Sequence, residues 1–165
     1  SNVYHQMDGL DERFFAHMEE IDLCWRMQRA GHQMMAIPQS TVYHVGGGTL
    51  AYQSPRKTFL NFRNSLLMIH KNHPGWVFGV IFRRLCLDGL AGMMFTLKGE
   101  FAHTKAIIQA HFSFYRMLSS SRVEREKWKH LPHKATQGVY KGSILWAFYA
   151  QKIRAFKDLN QRRFY

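Results

Sequence analysis

From Pro55 onward the apolar residues recur at helical spacing, and this constrains the chain more than any other feature. Between Lys57 and Lys71 the repeat is carried by Phe59, Phe62, Leu66, Leu67 and Ile69, and Asn72-His73-Pro74-Gly75 predicts its stop. A second helix is predicted over Trp76 to Leu97, with basic residues inside its apolar run. Gly99 interrupts, and Phe101 to Leu118 predicts a third. From Ser119-Ser120-Ser121 to Gly142 the chain is rich in Lys, Arg and His, and reads as a loop or a short charged helix. A fourth helix is predicted over Ser143 to Leu159, bearing Ile144, Leu145, Phe148, Ile153 and Phe156. No internal repeat is visible.

Before Pro55 the signals differ. Val3 to Asp11 is short and turn-like, with Asp8-Gly9 as the turn signal. A helix is predicted from Glu19 to Ala30, because an acidic start suits the positive end of a helix dipole and Gly31 suits a left-handed stop. Ile21, Cys24, Trp25 and Gln28 form one stripe of it, and Leu23, Met27 and Ala30 another, so the helix should be buried on two sides. Met34 to Ile37 and Thr41 to Val45 read as two short strands around Pro38-Gln39-Ser40, ended by Gly46-Gly47-Gly48. The fold class expected is therefore α-rich α+β.

A chain of 165 residues fits one domain by size. It can bury roughly 70% of its unfolded surface. Apolar residues at 46% and aromatics at 15% exclude a disordered tail. No stretch reaches the ~20 apolar residues of a spanning helix; the best, Trp76 to Phe95, is broken by Arg83, Arg84 and Asp88. No secretory leader pattern is visible, and Cys24 and Cys86 read as reduced core thiols, which fits a cytoplasmic setting. The net charge of +12 is unevenly placed. Residues 1–55 hold three basic and six acidic side chains, whereas residues 56–165 hold 20 basic and five acidic. This asymmetry divides the chain into an acidic part, 1–55, and a basic helical part, 56–165.

The densest chemistry lies in Glu19-Glu20-Ile21-Asp22-Leu23-Cys24-Trp25-Arg26, with three carboxylates in four residues. On a helix Glu19, Asp22 and Arg26 share a face, Asp22 can pair with Arg26, and Glu20 points elsewhere. A carboxylate outside any ion pair, at a helix start beside bulky apolar residues, suits a general base. The same spacing also suits an acidic helix start with an internal ion pair. His44 taken alone reads either as a hydrogen-bonded structural histidine or as a metal ligand.

Gly9-Leu10-Asp11-Glu12-Arg13-Phe14-Phe15, the Glu19 to Arg26 segment, Gly31-His32, Thr41 to Gly48 and Asn61-Phe62-Arg63-Asn64 together resemble family-2 inverting glycosyltransferases of GT-A type. The resemblance is to the carboxyl-terminal part of their catalytic domain and covers about 70 residues, weakening beyond Gly75. It implies that Glu20, where the family normally has Asp, is the catalytic base. Glu19 and Asp22 then orient the helix and acceptor site, with Trp25, Arg26, Gly46 and Gly47 as neighbours of acceptor or donor. His44 would be a ligand of a divalent metal, Mg or Mn, that holds the nucleotide diphosphate. Such a transfer is an in-line displacement in which a carboxylate takes the acceptor hydroxyl's proton and a metal neutralises the departing diphosphate. The family's nucleotide-binding half, with its Asp-x-Asp motif, is missing. The chain therefore reads as a carboxyl-terminal fragment, inactive and metal-free by itself, with Ser1-Asn2 as a tag remnant. Apolar surface left by the missing half makes self-association an expectation.

In the basic part, Arg83, Arg84, Lys98, Lys105, Arg116, Arg122, Arg125, Lys127 and Lys129 interleave with Trp76, Phe78, Phe82, Phe95, Phe101, Phe112, Phe114, Tyr115 and Trp128. This mixture fits helices lying on an anionic membrane surface, or a helical core with a solvated basic face. The first suits a peripheral enzyme at the inner face of the cell membrane. The resemblance implies that such an enzyme extends glycans or lipid-linked acceptors from nucleotide-sugar donors, in cell-envelope polysaccharide synthesis. The alternatives are a basic nucleic-acid-binding module and a helical interaction domain. Zinc-finger spacing and an RNP-like aromatic strand are both missing, so no specific nucleic acid is expected.

Overall fold

The computed structural model describes residues 2–35, 37–41, 43, 54–132 and 140–164. In chain order they form α1 (Asn2–Gln6), a 3-10 turn (Glu12–Phe14), α2 (Glu19–Arg29), α3 (Pro55–Asn72), α4 (Val77–Leu97), α5 (Phe101–Arg116), α6 (Leu118–Lys127) and α7 (Ile144–Tyr149). Two further 3-10 turns follow, Phe156–Asp158 and Gln161–Arg163. The chain divides into two compact units, 1–132 and 133–165.

Local chemistry explains the boundaries. The Ser54 hydroxyl accepts from the Lys57 N–H at 3.2 Å and Pro55 occupies the first turn, so α3 starts where its first N–H groups are capped. It ends at Asn72, two residues before Pro74. α2 has no side-chain cap; three acids in its first turn face its positive end instead. Gly31, at φ 93°, stops it. Gly99, at φ 77°, makes the tight corner between α4 and α5.

In the first unit α3 is central and touches α2, α4, α5 and α6. Its Leu66 and Leu67 meet Phe14, Ile81 and Phe114 in the main core. Met7, Leu23, Trp128 and Leu131 form a second cluster beside it. Each such side chain removed from water contributes about 2 kcal/mol. α4 and α5 close on each other at Gly92, whose carbonyl accepts the hydroxyls of Thr96 at 2.9 Å and Thr104 at 3.1 Å. In the second unit, α7 starts at a Ser143 cap and an antiparallel bridge joins Tyr140 to Phe164.

Four expectations are corrected. No strand or sheet occurs among the described residues, so the α+β class gives way to a helical fold without GT-A sheet remnants. A strand needs a ladder partner and a covered face, and here Met35 and Tyr43 are 83% and 94% exposed. Of the two apolar stripes of α2, Leu23, Met27 and Ala30 do pack inward, but the Ile21 stripe does not: Ile21 is exposed, while Asp22, Arg26 and Arg29 are buried instead. The fourth helix stops at Tyr149, and Lys152 at φ 57° breaks the pattern that ran on to Leu159. Cys86 is exposed and Cys24 partly so, because Cys86 lies on the outward stripe of α4. The stretch after Ser119, read as loop or helix, is helical to Lys127.

Candidate active site

The acidic segment forms the first turn of α2, delivered by a strained approach. Phe15, His17 and Met18 all have positive φ (64°, 70° and 76°), a conformation that costs side-chain-bearing residues of order 1 kcal/mol or more each. α3 holds them there. Asn64, fully buried, donates its amide N–H groups to the carbonyls of Phe14 (2.9 Å), Ala16 (2.8 Å) and His17 (2.8 Å). Arg63 donates to the carbonyls of Arg13 and Phe14, both at 3.1 Å. The strain is thus offset by buried hydrogen bonds from an element about fifty residues away in sequence.

The three carboxylates then diverge. Asp22 is 0% exposed. It accepts from Arg26 Nε (3.0 Å) and Nη2 (2.8 Å), Lys71 Nζ (2.9 Å) and Asn72 Nδ2 (2.6 Å). Lys71 also reaches Asp11 at 2.7 Å, and Asp11 is gripped by Arg13 at 2.5 and 2.8 Å. The result is a chain of alternating charge, Arg13–Asp11–Lys71–Asp22–Arg26. Burial works to raise the pKa of Asp11, but the hydrogen bonds and charges of Arg13 and Lys71 more than reverse it and hold the carboxyl well below the usual range. Arg26 spends its remaining donors on the carbonyls of Met7 and Gly9 and lies over the Trp128 ring. Arg29 reaches the carbonyls of Asn72, Trp128 and Leu131. Of these charges Asp11, Lys71 and Arg26 line a cleft of about 150 Å³, together with Asp8, Glu124 and Lys127.

Glu19 is half-buried, and its Oε2 is enclosed without a hydrogen-bond partner among the described residues, as is Nε2 of His17. Glu20 is exposed and makes no hydrogen bond or ion pair among the described residues, so it is the carboxylate of the three that water and ligands reach. Trp25 is partly exposed on the same helix. The structure therefore brings Glu19, Glu20, Asp22, Trp25 and Arg26 onto one helix. His44, Gly46 and Gly47 lie outside the described residues. Among the described residues no three His, Cys, Asp or Glu side chains are grouped to hold a metal. Asn64, Lys71 and Asn72 were not singled out by sequence reasoning. Only the family-like Asn61 to Asn64 segment pointed at one of them.

The chain is 25% identical over 75 residues to an N-acetylglucosaminyl-diphospho-decaprenol L-rhamnosyltransferase of Mycobacterium tuberculosis, found in both strain H37Rv and strain CDC 1551. The match covers 46% of this chain and 24% of the relative, so the chain spans about a quarter of the length of the curated relatives it matches. No protein-family profile and no solved structure matches it. The chain is thus similar, at a distance and in part, to a glycosyltransferase.

Proposed function

We propose that this chain is part of an inverting glycosyltransferase that moves a sugar from a nucleotide-sugar donor to a hydroxyl of a glycan or lipid-linked acceptor, with Glu20 as the base. The observation that carries this reading is the division of labour among the three carboxylates. Asp22 is saturated by cations and an amide, whereas Glu20 is exposed, with no partner among the described residues, at the end of a loop that α3 holds under strain. Strain kept by surrounding structure is a feature of sites that position reacting groups.

In this reading Glu20 accepts the acceptor proton as the acceptor oxygen attacks the anomeric carbon and the nucleoside diphosphate leaves. Asp22 acts through position: by holding Arg26, Lys71 and Asn72 it fixes the angle of α2 on α3. Glu19, half-buried in the same turn, helps orient the helix start toward the acceptor side, and Trp25 offers an apolar face. A divalent cation, when bound, supplies charge neutralisation at the diphosphate; His44 is its proposed ligand, and Gly46 and Gly47 the close backbone approach. The relative's printed name, with its diphospho-decaprenol, supports a lipid-linked acceptor.

The test is made in the full-length enzyme. Glu20→Gln, which keeps shape and removes the base, is expected to lower kcat by about 10²-fold or more with stability unchanged. Asp22→Asn is expected to lower stability along with activity, because it loosens two buried cations. Unchanged transfer in Glu20→Gln removes the base from Glu20. Loss of transfer in a stably folded Asp22→Asn enzyme would move that role to Asp22.

A further inference from the structure

α4 is apolar on both sides. Its inner side (Ile81, Leu85, Gly92) packs on α3 and α5, and its one acid, Asp88, is 2% exposed and held by Arg84 at 2.6 Å and His111 at 3.1 Å. Its outer side carries Phe82, Cys86, Leu90, Met93 and Leu97, spaced four, four, three and four residues apart, which is one continuous helical stripe. All five are exposed, Leu97 to 85%. α5 runs beside it with its own exposed stripe of Phe101, Ile108, Phe112 and Tyr115. Between the two lies an apolar groove of about 390 Å³ whose rims include Met93, Leu97 and Ile108. Such a surface, on two adjacent helices, exceeds what scattered exposed apolar residues require.

The charges around it select the occupant. Arg83, Lys98, Lys105 and Arg116 are exposed on this hairpin, against the single exposed carboxylate of Glu100. By helical position Arg83, Lys105 and Arg116 fall on the flanks of the stripes, where long side chains can reach polar headgroups while the stripes turn toward acyl chains. A second copy docked by this same face would set these cations against their equivalents. No helix among the described residues is long and apolar enough to cross a membrane, so the face is suited to lying on a bilayer.

We propose that the outer face of the α4–α5 hairpin docks on an anionic lipid bilayer, with Met93 and Leu97 entering the acyl boundary and the flanking cations meeting headgroups. This inference does not rest on the glycosyltransferase reading and survives its failure. The experiment is flotation of the 165-residue chain with phosphatidylcholine vesicles, with and without phosphatidylglycerol. The chain is expected to float with the anionic vesicles. Leu97→Gln and Met93→Gln change no charge and sit at exposed positions, so helix content by circular dichroism should hold. Each should lower the partition coefficient by about tenfold. Val123→Gln, an equally neutral change at an exposed position of α6, should leave it unaltered. The proposal is overturned if the chain does not float, if neither hairpin variant changes partitioning, or if Val123→Gln lowers it equally. It is also overturned if Leu97→Gln only dissociates a dimer seen by light scattering, which would assign the face to a second copy.

Discussion

His70 shows how one buried side chain ties the α3–α6 contact to pH. Its Nδ1 lies 2.6 Å from the Ser121 hydroxyl, and both residues are buried. Burial pushes its pKa down from 6.5 to about 4, with the charges of Arg125 and Arg122 adding to this. The nearest helix-capping cation, Arg125, is itself fixed on the carbonyls of His70, His73 and Gly75, so it cannot swing away. His73 is shifted in the same direction, by burial first and then by Arg125 and Arg83. A histidine whose folded pKa is depressed binds its proton more readily when unfolded, so acid favours the unfolded chain. Stability should therefore fall as pH drops below 6.5 toward 4. From pH 7 to pH 5 the loss assigned to His70 is about 2 kcal/mol. Urea unfolding at the two pH values measures it. His70→Gln, which cannot titrate, should be less stable at pH 7 but should lose roughly that much less on acidification. Asp11 does not confuse the window, since its depressed pKa matters only below its unfolded value of 3.8.

At the scale of elements, the joint between α2 and α3 is polar where the sequence pattern suggested an apolar one. Periodicity finds buried faces by their apolar residues, and so it did not mark the Asp22-Arg26-Arg29 stripe as one. Its burial depends on partners at Lys71 and Asn72, which no local pattern reveals. The helices themselves were legible, because Ser54-Pro55, Gly31, Gly99 and the Asn72 to Gly75 stop act locally. The two expected strands failed, because alternation over four or five residues says nothing about whether a ladder partner exists. Within the candidate site, the Asp22–Arg26 pair and the separate, outward position of Glu20 were legible from spacing. The Asn64 clamp was not, because it acts across almost fifty residues. That clamp gives an element-scale prediction. Asn64→Ala leaves the carbonyls of Phe14, Ala16 and His17 short of donors in a buried place, so unfolding free energy should drop by about 3 kcal/mol. Beyond this global loss, amide exchange at the start of α2 should speed up more than in the middle of α5. Uniform acceleration across both helices would mean that Asn64 contributes only general packing.

At the scale of the molecule, the +12 charge is not a tally of two separate halves. Lys71 and Lys127, from the basic part, are bound to Asp11, Asp22 and Asp8 of the acidic part, and Glu124 lies 3.9 Å from Arg13. Much of the front's acidity is thus spent inside the first unit, and the cations left exposed include those flanking the α4–α5 stripes. Two polyanions offer themselves to such a surface, a nucleic acid and a bilayer, and they differ in what remains when salt screens the charges. Binding to duplex DNA would be almost wholly counterion release. With about six phosphate contacts it would weaken by about 10³-fold between 50 and 200 mM salt. Binding through the hairpin keeps its apolar contribution under screening, since burial of Met93 and Leu97 is insensitive to a Debye length that shrinks from about 14 to 7 Å over that range. Gel shift and vesicle flotation measured over the same salt series should therefore part company. The DNA complex should be lost by about 200 mM, while flotation falls by about tenfold or less and then levels off. Parallel decline of both would mean that the surface is read only as charge, and that the exposed stripes of α4 and α5 have another occupant.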